Sequence, residues 1–365
     1  MKRVMTSMAA LAIGAGAAHA GGVERSTQSV GILFEQGNYA EFSVGGFNPD
    51  VSGTYPLNNS NSGDMAPGYG TVSLGYKQQL NDQWDLAVIF DQPVGAKVNY
   101  PAGATGNPLA DYPIAGSKAS IKSSAVTALV RYKMPNNVSV YGGLRSESVQ
   151  GHVTLPALGY SMSTSDETDF GYVVGAAWEK PEIAARVALT YNSKIEHEFS
   201  VTENGSPSAP FSTTVPESVN LEFQTGIAKD TLVMGSVRWV HWKQFDITPL
   251  GYQMATSGDS LVDYANNTIT YNIGLGRRFT DQWSGAIMFG YEKHQGGTVG
   301  NLGPTDGYKS VSFAASYQAT DNIKITGGLR YVDIGDAKTT LPPGVQTDFS
   351  GNDGWGAGLR VGVSF

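Results

Sequence analysis

From residue 38 onward the chain is a succession of segments in which apolar residues alternate with polar or small ones, and the connections between them are sorted by length. The final segment is the clearest. Trp355, Ala357, Leu359, Val361, Val363 and Phe365 fall on one parity, and Gly354, Gly356, Gly358, Arg360, Gly362 and Ser364 on the other. A period of two is the signature of a strand with one apolar face. The pattern predicts fourteen strands at 38–52, 69–80, 84–99, 118–133, 138–153, 168–179, 183–200, 217–228, 231–247, 266–279, 283–294, 309–319, 323–335 and 353–365. Six connections hold only a few residues and rely on Asp, Asn and Pro; seven long ones cover 53–68, 100–117, 154–167, 201–216, 248–265, 295–308 and 336–352. Short and long alternate strictly. A sandwich in water has no reason to sort its loops by side, whereas a transmembrane antiparallel β-barrel with short periplasmic turns and long external loops does. The fold class is therefore all-β, a barrel of about fourteen strands. Parity is muddled in 231–247, where Arg238 shares a face with Leu232, Met234 and Val240; a bulge is expected there.

Composition agrees. Charged residues are 15% of the chain and 46 of 365 residues are Gly. No apolar run beyond residue 20 approaches the ~18 residues of a membrane-spanning helix. Aromatic residues cluster beside the short turns: Tyr132, Trp178, Phe279 and Tyr317 precede them, and Trp84 and Trp283 follow them, as an interfacial girdle requires. Charges within strands, among them Arg131, Arg145, Arg186, Glu222, Glu292, Arg330 and Arg360, take the face opposite the apolar one. A charge facing lipid near the midplane costs about 2–4 kcal/mol, so these should point into the lumen.

Residues 1–20 read as a secretory signal: Lys2 and Arg3, an apolar Met8–Ala18 stretch, and Ala18-His19-Ala20 as cleavage site. Without Lys2 and Arg3 the formal charge becomes −10, which disfavours nucleic acid as a partner. The absence of Cys excludes disulfides, zinc–thiolate sites and cysteine catalysis. His152, His197, His241 and His294 are scattered, and no metal-ligand or nucleophile motif accompanies them, so no catalytic residue, metal or cofactor is expected.

Two features look functional. The segment 21–37 carries Val30, Ile32, Leu33 and Phe34, an apolar cluster that water would disfavour; it is expected to fold into the lumen as a plug before the barrel proper at 38–365. Within the third strand, Asp91-Gln92-Pro93-Val94-Gly95 should break the wall, because Pro cannot donate a ladder hydrogen bond and a closed barrel has no edge to hide it.

Over essentially the whole chain these features resemble the FadL/TodX family of outer-membrane transporters of long-chain fatty acids and other hydrophobic compounds. The carrying residues are the break at Asp91–Gly95, the stretch Pro216-Glu217-Ser218-Val219-Asn220-Leu221-Glu222-Phe223-Gln224-Thr225-Gly226, and Gly235-Ser236-Val237-Arg238-Trp239-Val240-His241-Trp242. Where the family often has Asn-Pro-Ala, this chain has Asn48-Pro49-Asp50.

The resemblance implies a monomeric bacterial outer-membrane protein that takes a hydrophobic small molecule from an external groove past a lumenal hatch. The molecule would then leave sideways into membrane lipid at a kink formed by Asp91, Pro93 and Gly95. By that analogy Leu155, Leu158, Tyr160, Met162, Phe199 and Phe211 are candidates for the entry groove, and Ile32, Leu33 and Phe34 for contact with ligand in the lumen. A ligand carboxylate would seek one of Arg131, Arg145, Arg238, Arg330 or Arg360. Phe365 resembles the terminal strand signal read by the barrel-assembly machinery. The alternatives are a general diffusion porin for small hydrophilic solutes, a barrel hydrolase, and an adhesive barrel.

Overall fold

The computed structural model of the chain describes residues 22–107, 109–341 and 344–365. The signal peptide expected at residues 1–20 lies outside them. Fourteen antiparallel strands form the wall. They are β1 (Tyr39–Asp50), β2 (Tyr69–Gln79), β3 (Trp84–Asp91 and Gly95–Asn99), β4 (Lys118–Lys133), β5 (Val138–Leu155), β6 (Glu167–Lys180) and β7 (Ala185–Asn192 and Ile195–Glu203). There follow β8 (Ser206–Val215 and Ser218–Ala228), β9 (Thr231–Val240), β10 (Thr268–Arg278), β11 (Trp283–Glu292), β12 (Tyr308–Gln318), β13 (Ile323–Ile334) and β14 (Asn352–Ser364). Each pairs with its neighbour in sequence, and β1 closes on β14 from Tyr39↔Ser364 to Asp50↔Asp353.

The short turns have a local cause. The Asn81 side-chain oxygen accepts the amides of Gln83 and Trp84, and the Thr280 and Thr320 hydroxyls accept those of Trp283 and Ile323. Such side-chain acceptors satisfy amides that a tight reversal would otherwise strand. The girdle aromatics pair beside these turns, Trp84 with Tyr132 at 4.7 Å and Trp283 with Tyr317 at 4.8 Å between ring centroids.

Alternation sends Phe42, Val44, Leu74, Phe170, Tyr172, Ile273, Phe313 and Leu359 outward, where they are exposed. A continuous apolar band of this kind faces hydrocarbon. The opposite parity carries the buried Arg131, Arg145, Arg186 and Glu292. In β9 no shift of parity occurs. Leu232, Met234, Arg238 and Val240 are all buried on the lumenal side, and the one irregularity in the β8–β9 ladder lies at Gly226/Ala228, near the periplasmic turn.

Several of the long connections carry strands or a helix in place of the loops expected, and two of them extend the barrel's own sheet. Residues 201–216 continue β7 and β8 as a hairpin beyond the membrane. In 154–167, Tyr160–Thr164 turns back along β5 and pairs with β7 at Val201–Glu203. A strand that has left the membrane no longer needs one apolar face, so the period-two signal fades while the ladder continues.

The amino-terminal segment 22–38 lies inside the barrel. Val30, Ile32, Leu33 and Phe34 pack against lumenal Tyr39, Leu129, Tyr141 and Val173. Gly75 leaves the room: a Cβ there would come within 2.5 Å of Ile32 Cδ1. Arg131 donates to the Leu33 carbonyl and Lys77 to the Gly37 carbonyl, both at 2.8 Å.

Candidate ligand pathway

Two cavities lie on the barrel axis. The outer one, about 370 Å³, sits beneath the external loops and is lined by apolar side chains that include Val51, Met65, Val98, Val153, Leu261 and Leu302. The inner one, about 260 Å³, is more polar, with Ser73, Asp91, Arg238 and Arg330 among its walls and Ile32 of the amino-terminal segment on its surface. Gly22, Thr268 and Glu292 line both, so the two cavities adjoin at the start of the amino-terminal segment. The outer chamber falls within the size range of small-molecule sites.

The entry-groove candidates come together, but on each other. Leu155, Tyr160, Met162 and Phe199 are buried in one cluster with Trp242, Phe245 and Leu261, and Phe211 packs against it. Of these only Met162 reaches the chamber, while Leu158 projects outward on a 3-10 turn (Pro156–Leu158). Ile32 faces the inner cavity; Leu33 and Phe34 are turned to the wall, with the Arg131 and Arg186 guanidiniums 4.6 and 4.5 Å from the Phe34 ring centroid.

The five candidate carboxylate partners are not equivalent. Arg131 ion-pairs with Glu179 and lies 3.8 Å from Asp85. Arg238 donates from Nε to Glu24 at 2.7 Å, and Arg360 is 3.8 Å from Glu41. Arg145 donates to Thr127 at 2.9 Å. Arg330 donates to the Ser310 hydroxyl, at 3.2 Å, and lies 5.2 Å from the Tyr308 ring centroid. Buried His197 lies 3.0 Å from Asp169 and stacks on Phe199. Among the described residues no His, Asp and Glu side chains converge in a group of three that could hold a metal.

The wall is interrupted where Pro93 stands. The β2–β3 ladder begins at Leu74↔Phe90 and runs toward the periplasm; Tyr69–Ser73 of β2 pair with β1 but have no ladder to β3. On the β4 side the break is mended: the Ser123 hydroxyl accepts the Val94 amide at 2.9 Å and donates to its carbonyl at 2.6 Å. On the β2 side, side chains reach across, Gln92 Oε1 accepting the Val72 amide at 3.2 Å and Lys97 Nζ donating to the Gly68 carbonyl at 3.3 Å. From inside, the amino-terminal segment lies along the break. Glu24 bridges Val94, the Gly95 amide donates to the Val23 carbonyl, and Ser26 donates to Asp91 at 2.5 Å.

A fourteen-stranded barrel with a lumenal amino-terminal segment seated on a break in its third strand decides the architecture. The chain has the FadL/TodX fold. It superimposes on the crystal structure of a Pseudomonas aeruginosa FadL homologue with a TM-score of 0.76 at 15% identity, over 97% of this chain and 98% of that one. With the P. putida toluene transporter TodX the TM-score is 0.67 at 10% identity, over 96% and 99%. With the Ralstonia pickettii toluene transporter TbuX it is 0.61 at 12%, over 91% and 90%. No protein-family model and no curated protein matches the sequence. At these identities the likeness is one of backbone architecture. A FadL/TodX-type barrel with an apolar outer band and an aromatic girdle belongs in a bacterial outer membrane.

Reading the sequence alone missed Arg25, Gln92 and Ser123 around the break. The only signal available was their nearness to Pro93, in sequence for Gln92 and across the β3–β4 pairing for Ser123. Nothing in the sequence ties Arg25 to it.

Proposed function

We propose that this barrel carries hydrophobic small molecules, long-chain fatty acids or compounds like them, across the outer membrane without opening a water-filled pore. The ligand enters the apolar outer chamber and displaces the amino-terminal segment, which acts as a hatch. It leaves sideways between β2 and β3 into the membrane. The observation that carries this reading is the unladdered stretch Tyr69–Ser73 opposite the broken part of β3. It opens from the inner cavity, whose lining includes Thr71, Val72, Ser73 and Gln92. A lateral route keeps an apolar solute out of bulk water, which would otherwise cost about 25 cal/mol per Å² of exposed surface. A single copy suffices, since one closed barrel holds chamber, segment and gap. The solved barrels of like fold include toluene transporters, in keeping with an apolar ligand.

The test is uptake of labelled oleate and of toluene by cells lacking their own transporter. Expression of this protein should raise uptake of at least one, while planar bilayers holding the purified barrel show little steady ion conductance. No rise in uptake, together with a large steady conductance to small hydrophilic ions, would replace this reading with that of a diffusion porin.

A further inference from the structure

We propose that Lys97, Lys118 and Lys122 form a phosphate site on the outside of the barrel, for the phosphorylated, multiply acylated glycolipid of the outer leaflet, lipopolysaccharide. The three stand near the external ends of β3 and β4, beyond Pro93, and all are exposed. The ladders fix their spacing. Lys97 lies opposite Ser120, and Lys118 and Lys122 flank Ser120 on the same face of β4. Diagonal neighbours of this kind lie about 7–8 Å apart, within reach of long side chains. The same rows continue on β5 with Gln150, His152 and Thr154, and on β3 with Gly95 and Asn99. Three adjacent strands thus hold three cations and no acid at these positions.

Other exposed lysines of the external end are balanced by acids. Lys309 stands opposite Asp333 in the β12–β13 ladder, and Lys338 lies 3.7 Å from Asp348. Among the described residues none of Lys97, Lys118 and Lys122 has a carboxylate within ion-pair distance. Lys97 donates to the Gly68 carbonyl at 3.3 Å. Like charges at this spacing repel one another, and a phosphate removes the repulsion while accepting several N–H donors. The surface below selects a lipid as the carrier of that phosphate. Val126 follows Lys122 by four residues on the same face of β4, and there an open groove of about 480 Å³ begins on the outside of the wall, lined by Phe42, Leu74, Phe90, Val126 and Val361. Leu74 and Phe90 are the first pair of the β2–β3 ladder, so the groove starts at the lower lip of the gap. Cations at the edge of an apolar band sit at head-group level, where they attract anionic lipid. The long connections put this edge in the external leaflet, and a lipid with its phosphate on the lysines has its acyl chains over the groove. The site stands whether or not a ligand passes the gap.

The experiment measures equilibrium binding of lipid A, and of lipid A stripped of its phosphates, to the purified full-length barrel in a zwitterionic detergent free of divalent cations. Wild type should bind lipid A at least about tenfold tighter than the stripped form, and K97Q/K118Q/K122Q should remove that preference while changing affinity for the stripped form less than about twofold. K309Q, at an exposed lysine that already faces an acid, should keep the preference, and the heat-modifiable band shows that each variant is folded. Equal affinity of wild type for the two forms, a preference that survives the triple substitution, or a loss as large in K309Q overturns the site. Phosphatidylglycerol bound as tightly as lipid A overturns the assignment to the glycolipid.

Discussion

The Pro93 carbonyl oxygen accepts the backbone N–H of Arg25 at 2.8 Å. Proline breaks β3 because it has no amide to give, and the carbonyl that the break leaves facing inward is taken up by the amino-terminal segment, with Ser26 donating to the same oxygen at 3.2 Å. Break and segment are thus one structural unit. A ligand that moves the segment frees the backbone of the wall at the place where the wall is already incomplete.

Ser26 fastens that unit through Asp91, a buried carboxylate whose other oxygen has no partner. Ser26→Ala should weaken the attachment by about 1–3 kcal/mol, because it leaves a buried carboxyl oxygen without its donor. Hydrogen exchange should quicken at residues 23–28 and leave β8–β14 unchanged. Uniform quickening across the barrel would mean that the contact stabilises the wall, with no special hold on the segment.

The periplasmic end of the segment depends on Arg131. It joins the Leu33 carbonyl to Glu179 and to Asp85, which also binds Lys77 and Lys133. Arg131→Ala breaks a buried charge network and should cost about 3–5 kcal/mol. The temperature at which the folded barrel band is lost on a gel should drop, and ion leakage through the lumen should rise. An unchanged melting temperature would show that the remaining lysines compensate.

Outside the membrane, Glu203 ties three loops together. It accepts the Tyr160 hydroxyl at 2.6 Å, the Gly251 and Tyr252 amides at 2.9 and 3.3 Å, and the Ser208 hydroxyl. Burial opposes its charge, but these donors together hold the carboxyl below the ordinary glutamate value. A depressed carboxyl stabilises the fold above the unfolded value, about 4.3, and that stabilisation is lost as pH falls through the folded one. Protease cleavage near Asn204-Gly205 should therefore be slow from pH 7 to about 5 and quicken below about 4, and Glu203→Ala should be cleaved readily throughout. A wild-type profile flat to pH 3 would contradict the role given to Glu203.

The barrel was legible because lipid imposes parity. Phe42, Leu74 and Phe313 must face out, Arg131, Arg145 and Arg186 must face in, and a period of two survives in the sequence. Pro93 was legible because its lack of an amide is a property of the residue itself. The loops were not. Ile195–Glu203 and Ser206–Val215 form a ladder that carries Pro207 and shifts register between Phe199 and Val201, and no face of it has to be apolar beyond the membrane. Leu155, Tyr160, Phe199 and Phe211 are apolar on sight, yet what such residues seal or line depends on contacts from far along the chain, here Trp242, Phe245 and Leu261. The chamber itself is assembled from Val51, Val98, Val153 and Leu302, four separate segments that no local pattern connects.

The central claim is lateral exit between β2 and β3, and the chain's freedom from cysteine makes it directly testable. Val72 and Gln92 face each other across the gap, with the Gln92 side chain on the Val72 amide. Val72→Cys combined with Gln92→Cys, joined by a short reducible thiol cross-linker, should stop uptake of labelled oleate or toluene in intact cells, and reduction should restore it. Each single variant should transport as wild type does. Full uptake through the cross-linked barrel would contradict the account, because the ligand would then be leaving by another route.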